Sequence, residues 1–559
     1  MEKNLEIKMI DGTLFEKMMY AAISNLHDNV KVVNDLNVFP IPDGDTGENM
    51  YLTLKGGVDE LRRCDNEDLD EKAMALARGM LLGARGNSGV ILSQLFHGIS
   101  LGLRGLKTAS ILDFNKALEQ GVKCAYKSVA EPVEGTILTV ARESVENSSD
   151  KLHDGTTPEQ YFNLVFNEMK KSLENTPELL HVLKEAGVID SGGAGLLFIT
   201  EGFCKVISGA EVNYEDGGYQ ANVKSIDFSL FDENSVMEFG YCTEVLLRLQ
   251  TSKVDVENFD VKEITSYLDT IGDSIVAVKT ESIVKIHVHT LEPWKVLAHC
   301  QKFGEYLTTK IENMTLQHNE TEIKKEEEKS ILPTVKKERT KYATITVLNG
   351  EGLINTFKEM GVDYVINGGQ TNNPSSEEFL KAFEAVNADN IFVLPNNSNI
   401  ILTAKQAGNI YKDSNIIVIE TKNIGQGYSA ISMLDYSSDD VNEITNNLIE
   451  SYQDVVTGMV AKSVRTTTVN GVNIEKDDYM GFSDKTMLVS TKSKVETTCE
   501  LCEKLEANEK SFLIVVFGAS VTEDEKEEVR NHINSKYSNL EFYEIDGGQD
   551  IYDFLLIIE

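Results

Sequence analysis

The sequence predicts a multidomain protein in which an all-α domain is followed by a small α+β domain and then by an α/β domain. At roughly 150 residues per domain, its 559 residues correspond to three or four domains. Two polar, charge-rich stretches, residues 208–225 and 320–339, divide the chain into three segments. Across the first of them, the apolar residues change from helical spacing to alternation. We therefore predict domains at 1–207, 226–318 and 340–559.

The first segment carries apolar residues at helical spacing. Thr13 and Glu16 have the spacing of a capping box, which predicts that Thr13 caps the first helix. Glycine-rich breaks separate several of the helices that follow. Further helices are predicted at Glu71–Leu82, Ser88–Leu101, Ile111–Val129, Pro158–Leu173 and Gly195–Ile207.

The second segment has the order β-α-β-β-α-β, which is typical of a ferredoxin-like α+β domain. Its predicted elements are strand Tyr241–Gln250, helix Val261–Ile271, strands Ile275–Thr280 and Ser282–Thr290, helix Trp294–Phe303 and strand Tyr306–Glu312.

The third segment again alternates strands and helices, a pattern that indicates an α/β fold with a largely parallel sheet. A strand-rich patch at Val455–Val489 predicts an antiparallel insertion or subdomain. The predicted strands are Ala343–Leu348, Ile391–Leu394, Ile416–Ile419 and Phe512–Phe517, and the helices include Leu353–Met360 and Glu377–Val386.

Charge and cysteine content narrow the class of protein. Asp and Glu number 90 against 53 Lys and Arg, and the net charge of −37 argues against nucleic acid as a partner. A nucleotide remains possible, because divalent cations and backbone amides can reverse the local potential. The N-terminal MEKNLEIKMIDG has no apolar signal region, and no apolar run is long enough for a transmembrane segment. The seven cysteines are scattered along the chain, so they do not form the pattern of a disulfide framework. We expect a cytoplasmic protein.

The sharpest candidate for chemistry is NVFPIPDGDTGENM, in which Asp43 and Asp45 flank one glycine between two helical segments. A tight turn can aim both carboxylates at one point, and hard oxygen ligands of this kind suit magnesium that bridges phosphates. An Asp/Gly turn without any ligand is the alternative.

Three further polar loops precede or join helices. GARGNSGV leads into an apolar helix whose first amides could bind a phosphate, although a plain helix linker capped by Asn87 or Ser88 is the alternative. DSGGAG begins at Asp190, and EGT ends at Thr136. If these loops meet at one end of a helical bundle, they could enclose a nucleotide.

Several motifs in this order identify a family resemblance. NVFPIPDGDTGENM, GARGNSGVILSQ, EPVEGTILTVARE and EAGVIDSGGAGLLF resemble the nucleotide-binding L subunit of dihydroxyacetone kinase (DhaL), in the form found in the FakA family of bacterial fatty acid kinases. GYCTE, KIHVHT, INGGQTNNPSSEEFLKA and VLPNNSNIILTAKQA resemble the middle and C-terminal parts of that family. The resemblance covers essentially the whole chain.

The resemblance implies a DhaL-type helical barrel that binds ATP through a pair of Mg²⁺ ions. Asp43 and Asp45 take the aspartate positions, as metal ligands and catalytic residues, and Asn37 is the candidate third ligand because Val38 replaces the aspartate of the kinase pattern. The implied nucleotide-binding residues are Thr46, Asn49, Gly86, Asn87, Ser88, Gly89, Thr136 and Asp190.

The resemblance also implies the reaction and the partner. FakA-type proteins phosphorylate the carboxylate of a fatty acid that a separate protein, FakB, presents, and the product is an acyl phosphate. The C-terminal segment would have a DegV-like fold that docks FakB. Two alternatives remain open, namely a nucleotide-sensing adaptor without phosphoryl transfer and a kinase for a small polyol such as dihydroxyacetone.

His287 and His289 lie two apart on a predicted strand, which suits joint metal coordination. The family resemblance implies a zinc site formed by these histidines and Cys242. We expect the first and third strands of this domain to run parallel, which would place Cys242 far from the histidines unless the ligands meet across a dimer. Either this topology is wrong or the ligands meet across a dimer, and we predict a homodimer with contacts in the middle domain.

All phosphate motifs lie before residue 208, so the sequence predicts a division of labour. The C-terminal segment is expected to be a separate docking platform that moves on the charged linker. Its loops 368–371 and 395–397 follow strands and could themselves bind a ligand.

Overall fold

A computed structural model describes residues 9–37, 44–153, 155–210, 241–256, 258–268, 270–280, 282–313, 339–370 and 372–559. The chain divides into two compact units. The first combines Met1–Gly217 with Lys337–Glu559, and the second is Gly218–Lys336. The described residues do not include Val38, Asp43 or, apart from residue 339, the predicted linker at 320–339.

The N-terminal part of the first unit is all-α in its described residues, apart from one short strand pair. No helix in the described ranges is both long and apolar enough to cross a bilayer. The helices are α1 Gly12–Asp28, α2 Val30–Asp35, α3 Thr46–Arg62, α4 Leu69–Gly83, α5 Gly86–Gly102, α6 Ile111–Lys127, α7 Ile137–Ser149, α8 Pro158–Leu179, α9 His181–Ala186 and α10 Ser191–Ile207.

The first helix begins differently from the prediction. Strand β1 (Ile10–Asp11) pairs with β2 (Thr108–Ala109), and this pairing holds Asp11 extended at the start of α1. The Asp11 carboxylate accepts from the Leu14 N–H at 2.7 Å and is the N-cap, so the capping box of Thr13 and Glu16 is wrong. Glu16 instead forms an ion pair with Lys72 at 2.7 Å.

Glycines let the helices of this domain pack closely. A Cβ on Gly202 of α10 would lie 2.7 Å from the Ala22 backbone of α1, and one on Gly98 of α5 would lie 2.6 Å from the Gln120 carbonyl of α6. These crossings hold the helices side by side, with a buried core that includes Phe15, Met18, Leu54, Leu92 and Ile199.

The C-terminal part of the first unit contains two larger sheets, a two-stranded sheet formed by residues 467–469 and 472–474, and flanking helices. A parallel sheet has the order β10-β9-β7-β8, and a mixed sheet has the order β15-β14-β11-β18-β16-β17. The strands are β7 Thr340–Leu348, β8 Tyr364–Asn367, β9 Ala388–Leu394, β10 Asn415–Val418, β11 Val456–Lys462, β12 Thr467–Val469, β13 Val472–Ile474, β14 Tyr479–Ser483, β15 Thr486–Thr491, β16 Phe512–Phe517, β17 Glu541–Asp546 and β18 Tyr552–Ile558. The helices are α13 Glu351–Glu359, α14 Ser376–Val386, α15 Ile401–Ile410, α16 Ile424–Ser432, α17 Val441–Glu450, α18 Lys494–Lys504 and α19 Glu523–Lys536.

The largely parallel sheet predicted for this segment is correct for β7 to β10 and wrong for Phe512–Phe517. That strand pairs with β17 and β18 in the mixed sheet. Within the predicted antiparallel patch, β11, β14 and β15 belong to the mixed sheet, whereas β12 and β13 pair only with each other. Strand patterns alone do not specify which strands pair, because buried strands of both sheets read as apolar runs.

The second unit has the predicted order of elements. Its four strands form an antiparallel sheet in the order β4-β5-β3-β6. The elements are β3 Tyr241–Leu249, α11 Lys262–Leu268, β4 Gly272–Thr280, β5 Ile283–Thr290, α12 Pro293–Cys300 and β6 Gly304–Asn313.

The register of this sheet corrects the expected strand direction. The first and third strands, β3 and β5, are adjacent and antiparallel, and Cys242 pairs directly with His289. The expectation that they run parallel is wrong, because a β-α-β crossover returns β4 parallel to β3 and the hairpin then reverses β5. Cys242 and the two histidines therefore occupy the same end of one sheet without a second chain.

Candidate functional site

The first part of the site is the start of α3. Asp45 is the N-cap residue of α3, but its side chain makes no capping hydrogen bond. The Thr46 hydroxyl donates to Oδ1 of Asn37 at 2.8 Å, and the Gly47 N–H donates to Oδ1 of Asn34 at 2.7 Å. Asn37, Asp45 and Thr46, all predicted site residues, thus lie together.

The start of α5 lies against the same turn. Arg85 is its N-cap residue and also makes no side-chain capping bond. Gly86 has φ +58°, and a Cβ there would lie 2.5 Å from Nδ2 of Asn49. Asn87, Ser88 and Gly89 form the first turn of α5 after Gly86, as the phosphate-loop prediction requires.

The starts of α10 and α7 complete the group. Asp190 caps α10 by accepting from the Gly193 N–H at 2.7 Å, and the adjacent Ser191 hydroxyl lies 3.3 Å from Oγ1 of Thr46. A Cβ on Gly192 would lie 3.2 Å from Cβ of Ile137, directly after Thr136, which caps α7. The structure therefore brings the described residues of all four predicted loops to one end of the helical domain.

This end of the domain favours an anionic ligand. Helix N-termini carry partial positive charge and unpaired N–H groups, and α3 and α5 both start here without a capping bond from their N-cap side chains. Beside them stand the carboxylate of Asp45 and the carboxamides of Asn37 and Asn49, which offer oxygen atoms to a hard cation. The arrangement suits a phosphate group together with a divalent ion.

The loop before α7 has a structural network of its own. Oε2 of Glu134 accepts from Thr139 Oγ1 at 2.6 Å and from Arg142 Nη2 at 2.9 Å. Burial raises the pKa of Glu134, but its hydrogen bonds from Thr139, Arg142 and Tyr126 outweigh that effect and the net pKa is lowered. The ionised side chain of Glu134 thus holds the loop in place through these bonds. Thr136, at the end of the loop, is held with it.

Asp190 gives the site a distinctive pH dependence. Burial raises its pKa to about 6, although the N–H groups of Gly193 and Ile137 oppose the shift. Between its usual value of 3.8 and about 6, the folded protein keeps a proton that the unfolded chain releases, so this group makes stability fall as pH rises through that window. We expect the melting temperature of Asp190→Asn, relative to wild type, to increase between pH 4 and pH 7 in thermal unfolding scans.

Asp113 provides the matched control with the opposite sign. The Ser110 hydroxyl, the largest influence, and the Ser110 N–H lower the pKa of Asp113 by hydrogen bonding in the capping box of α6. Its stabilisation is therefore present above the unfolded pKa and is lost as pH falls. Asp113→Asn should lose more stability at pH 7 than at pH 3. A pH-independent difference for Asp190→Asn would contradict the assigned pKa.

The C-terminal part of the first unit contacts the same loops. Nδ2 of Asn373 donates to Oδ2 of Asp45, and Nη1 of Arg85 donates to the Asn373 carbonyl at 2.7 Å. Arg85 Nη1 also lies 3.1 Å from Oε2 of Glu378. Both N-cap side chains of α3 and α5 thus contact Asn373 or its neighbourhood, and the C-terminal segment packs against the helical domain within one compact unit.

A second contact holds the chain before the Asp43 loop. The Arg465 guanidinium donates to the carbonyl of Asn37 and, at 3.3 Å, to that of Asp35. Burial lowers the pKa of Arg465, and the nearby Asp35 opposes the shift.

Four residues at this site were not predicted from the sequence, namely Arg465, Asn373, Arg85 and Ser191. Arg85, Ser191 and Asn373 lie inside motifs that carry the family resemblance, but the Asn373 motif gave no sign of a contact with the N-terminal loops, and Arg465 lies outside those motifs.

The loops after strands β7, β8 and β9 line a small cavity between the two C-terminal sheets. Its lining combines carboxamides, including Asn349, Gln370 and Asn396, with the apolar side chains of Met459 and Leu555. The space open to the centres of water molecules is about 30 Å³, enough for about two of them. Residues 368–370 and 395–397, from both loops predicted to bind a ligand, line this cavity.

The predicted zinc ligands occupy neighbouring backbone positions in the second unit. Cys242 on β3 pairs with His289 on β5, and Glu244 pairs with His287. The side chains of Cys242, His287 and His289 lie outside the described residues, as does Asp43. Among the side chains that are described, no group of three His, Cys, Asp or Glu is arranged to hold a metal ion.

Comparison with known proteins agrees with this architecture. Residues 40–205 match the DAK2 domain, residues 238–321 the middle domain of FakA-like fatty acid kinase proteins, and residues 343–559 the C-terminal domain of the same proteins. The chain is thus a multidomain protein with an N-terminal helical DAK2 domain.

Full-length relatives define the family. The chain is 38% identical to protein YloV of Bacillus subtilis (strain 168), and the match covers 99% of this chain and 100% of that protein. It is 37% identical, with the same coverage, to an uncharacterized protein of Staphylococcus aureus (strain USA300). The chain belongs to the FakA-like fatty acid kinase family.

Solved structures give more distant matches. A dihydroxyacetone kinase from C. freundii, in complex with AMP-PNP and Mg²⁺, is 17% identical with a TM-score of 0.28, and the match covers 37% of this chain and 36% of that one. DegV, a fatty acid binding protein from Bacillus subtilis, is 13% identical with a TM-score of 0.30, and the match covers 39% of this chain and 99% of that one.

Proposed function

We propose that this chain is the ATP-dependent kinase subunit of a two-component fatty acid kinase. In the reaction, a carboxylate oxygen of the fatty acid forms a bond to the γ-phosphorus of ATP, the bond from that phosphorus to the β,γ-bridging oxygen breaks, and ADP leaves. The observation that carries the proposal is the meeting of the α3 and α5 N-termini beside Asp45. Family membership supports the fatty acid as the acceptor.

The residues present fit ATP and Mg²⁺. Asp45 and Asn37 supply oxygen donors, and Oδ1 of Asn87 is buried without a hydrogen-bond partner among the described residues, so the site has acceptors that a cation and its waters would satisfy. We assign the cation to Asp43, Asp45 and Asn37, and the phosphates to the amides of Gly86, Asn87, Ser88 and Gly89. Thr46 and Asn49 hold the turn, and Thr136 and Asp190 close the nucleotide side. When bound, Mg²⁺ neutralises the charge that develops on the transferring phosphoryl group.

The chain needs no general base for this acceptor. A fatty acid carboxylate, with a pKa of about 4.5, is already ionised at pH 7, so alignment and charge neutralisation suffice. The acyl chain stays inside a separate, FakB-like protein, which presents only the carboxylate. We infer that this partner docks on the C-terminal segment, to which we assign a DegV-like fold.

The test is ATP consumption with each component omitted in turn. We expect turnover only when Mg²⁺, a fatty acid and a FakB-like protein are all present. Turnover with dihydroxyacetone and no partner protein would favour a polyol kinase, and nucleotide binding without turnover would favour a sensing adaptor. Either result would contradict the proposed function.

We also propose a zinc site on the middle unit, to which we assign a ferredoxin-like fold. Cys242 and His289 are direct cross-strand partners, and His287 is two residues from His289, so alternation places the three positions on one face of the sheet. Cysteine and histidine are preferred zinc ligands. These three ligands all come from one chain, so the zinc site does not require a dimer. A homodimer formed through the same unit is a separate proposal.

Elemental analysis of purified protein should therefore find zinc near one per chain. The double variant His287→Ala with His289→Ala should lose the zinc and unfold at a lower temperature, because a structural metal contributes folding free energy. His299→Ala is the matched control, since His299 stacks on Tyr267 at 4.1 Å on the helices of the same unit. Zinc-free wild-type protein, purified without chelator, would contradict the site.

A further inference from the structure

One residue of the C-terminal segment reaches the centre of the candidate phosphate site. Asn373 is 3% exposed, and its Nδ2 donates to Oδ2 of Asp45. It also lies beside the phosphate loop, since a Cβ on Gly86 would be 3.5 Å from Asn373 Nδ2 and 2.5 Å from Asn49 Nδ2. Asn373 therefore stands among Asp45, Asn49 and Gly86 although it comes from another domain.

Chemistry fixes the orientation of this carboxamide. An ionised carboxylate only accepts hydrogen bonds, so the NH₂ group of Asn373 has to face Asp45 and the oxygen has to face away. That oxygen, Oδ1, is buried and has no hydrogen-bond partner among the described residues. Buried polar atoms without partners are rare in folded proteins, and such an atom indicates a missing ligand or water.

The unpartnered Oδ1 of Asn373 suits a cation or a water molecule and does not suit a phosphate group. Phosphate oxygens accept hydrogen bonds and would repel Oδ1, whereas a divalent cation or a water bound to it would satisfy it. A second orphaned oxygen, Oδ1 of Asn87, belongs to the neighbouring loop, and Nδ2 of Asn87 lies 3.4 Å from Oδ1 of Asn399 in the C-terminal segment. The contact between the domains thus contains two carboxamide oxygens available to a cation or its waters.

The Asn373 loop is held rigidly. Its carbonyl accepts from Arg85 at 2.7 Å, and the Ser376 N–H donates to the Ala84 carbonyl at 3.2 Å. Ser375 and Glu378 form a capping box at the start of α14, directly after the loop. Because α14 and α5 are fixed to each other through these bonds, the carboxamide is presented to Asp45 by packed helices.

We propose that Asn373 is a positioning residue of the cation site. Its NH₂ group orients the Asp45 carboxylate, and its Oδ1 accepts from the hydration shell of the bound divalent cation or contacts the cation itself. The kinase site is thus completed by the C-terminal segment. This inference rests on the proposed function, because it presumes a metal–nucleotide complex at Asp45.

The experiment measures binding to the full-length protein. Mn²⁺ binding in the presence of ADP is followed by electron paramagnetic resonance, and ADP binding is measured by calorimetry with and without the metal. Loss of a hydrogen bond to a charged group corresponds to about a ten- to hundred-fold loss of affinity. For Asn373→Ala we expect at least about a ten-fold loss of Mn²⁺ affinity, with metal-free ADP affinity within about two-fold of wild type.

Asn372→Ala is the matched control, because Asn372 is the exposed neighbour in the same loop and should leave both affinities unchanged. Asn373→Leu keeps the branched shape of the side chain and removes both polar groups, so it should reproduce the selective loss even if Asn373→Ala folds poorly. Unchanged Mn²⁺ affinity, or an equal loss with and without metal, would overturn the inference. Wild-type protein that binds neither Mn²⁺ nor ADP would instead contradict the proposed function.

Discussion

Asp45→Ala is expected to abolish phosphoryl transfer while the protein remains folded. Asp45 is the described carboxylate of the proposed cation site, and losing its charge neutralisation should cost about 4 kcal/mol in the transition state, or roughly a thousand-fold in kcat. The fold should tolerate the change, because the Asp45 side chain does not cap α3. Steady-state ATP consumption and a thermal unfolding scan of the same sample measure the two effects.

Asp59→Ala is the control for Asp45→Ala. Asp59 lies on the same helix in an ion pair with Lys55 at 2.7 Å, and pairs of this kind contribute about 0.5 kcal/mol. Its turnover should match wild type. Asp43→Ala should show the same loss as Asp45→Ala if the two aspartates share the metal. Wild-type turnover of Asp45→Ala at saturating Mg²⁺ would sink the assignment of the cation site.

Gly86→Ala is expected to damage both the fold and nucleotide binding. Gly86 has φ +58°, which costs an alanine about 1–2 kcal/mol, and its Cβ would lie 2.5 Å from Asn49 Nδ2. Overpacking adds about 1–3 kcal/mol, so we expect a loss of about 3 kcal/mol in the free energy of unfolding. Displacement of Asn49 should also weaken ADP·Mg²⁺ binding at least about ten-fold, as measured by calorimetry.

Gly187→Ala separates backbone strain from the clash. Gly187 has φ +66° at the end of α9, but no atom lies within 4 Å of a Cβ there. This variant should lose only the strain energy of about 1–2 kcal/mol and keep wild-type nucleotide affinity. Equal effects of the two substitutions on binding would show that the contact between Gly86 and Asn49 has no role in the site.

The sequence predicts the parts of this molecule that depend on local patterns. The helices around Ser88–Leu101 and Gly195–Ile207 were recognisable because apolar spacing reports the buried face directly. The start of α1 was not, because Asp11 becomes a cap only through a strand pair with residues 108–109. Pairing between distant segments likewise decided that Phe512–Phe517 joins the second C-terminal sheet.

The candidate site also combines residues that are close in sequence with residues that only the fold brings together. Asn37, Asp45 and Thr46 lie within ten residues, so a single motif displayed them together. Asn373 is 328 positions from Asp45 and lies in a different motif, INGGQTNNPSSEEFLKA. Only the contact between the start of α14 and residues 84–85 brings its carboxamide to the carboxylate. A motif marks such a residue as part of the family pattern, but it does not tell which distant residue the side chain contacts.

The measurement that most directly tests the central claim follows the oxygen atoms of the acceptor. A fatty acid labelled with ¹⁸O in its carboxylate is incubated with ATP, Mg²⁺, a FakB-like protein and this chain. If the carboxylate attacks the γ-phosphorus, the product is an acyl phosphate with ¹⁸O in the bridge between carbon and phosphorus, visible as an isotope shift in the ³¹P spectrum. Release of unlabelled inorganic phosphate alone would contradict phosphoryl transfer to the fatty acid.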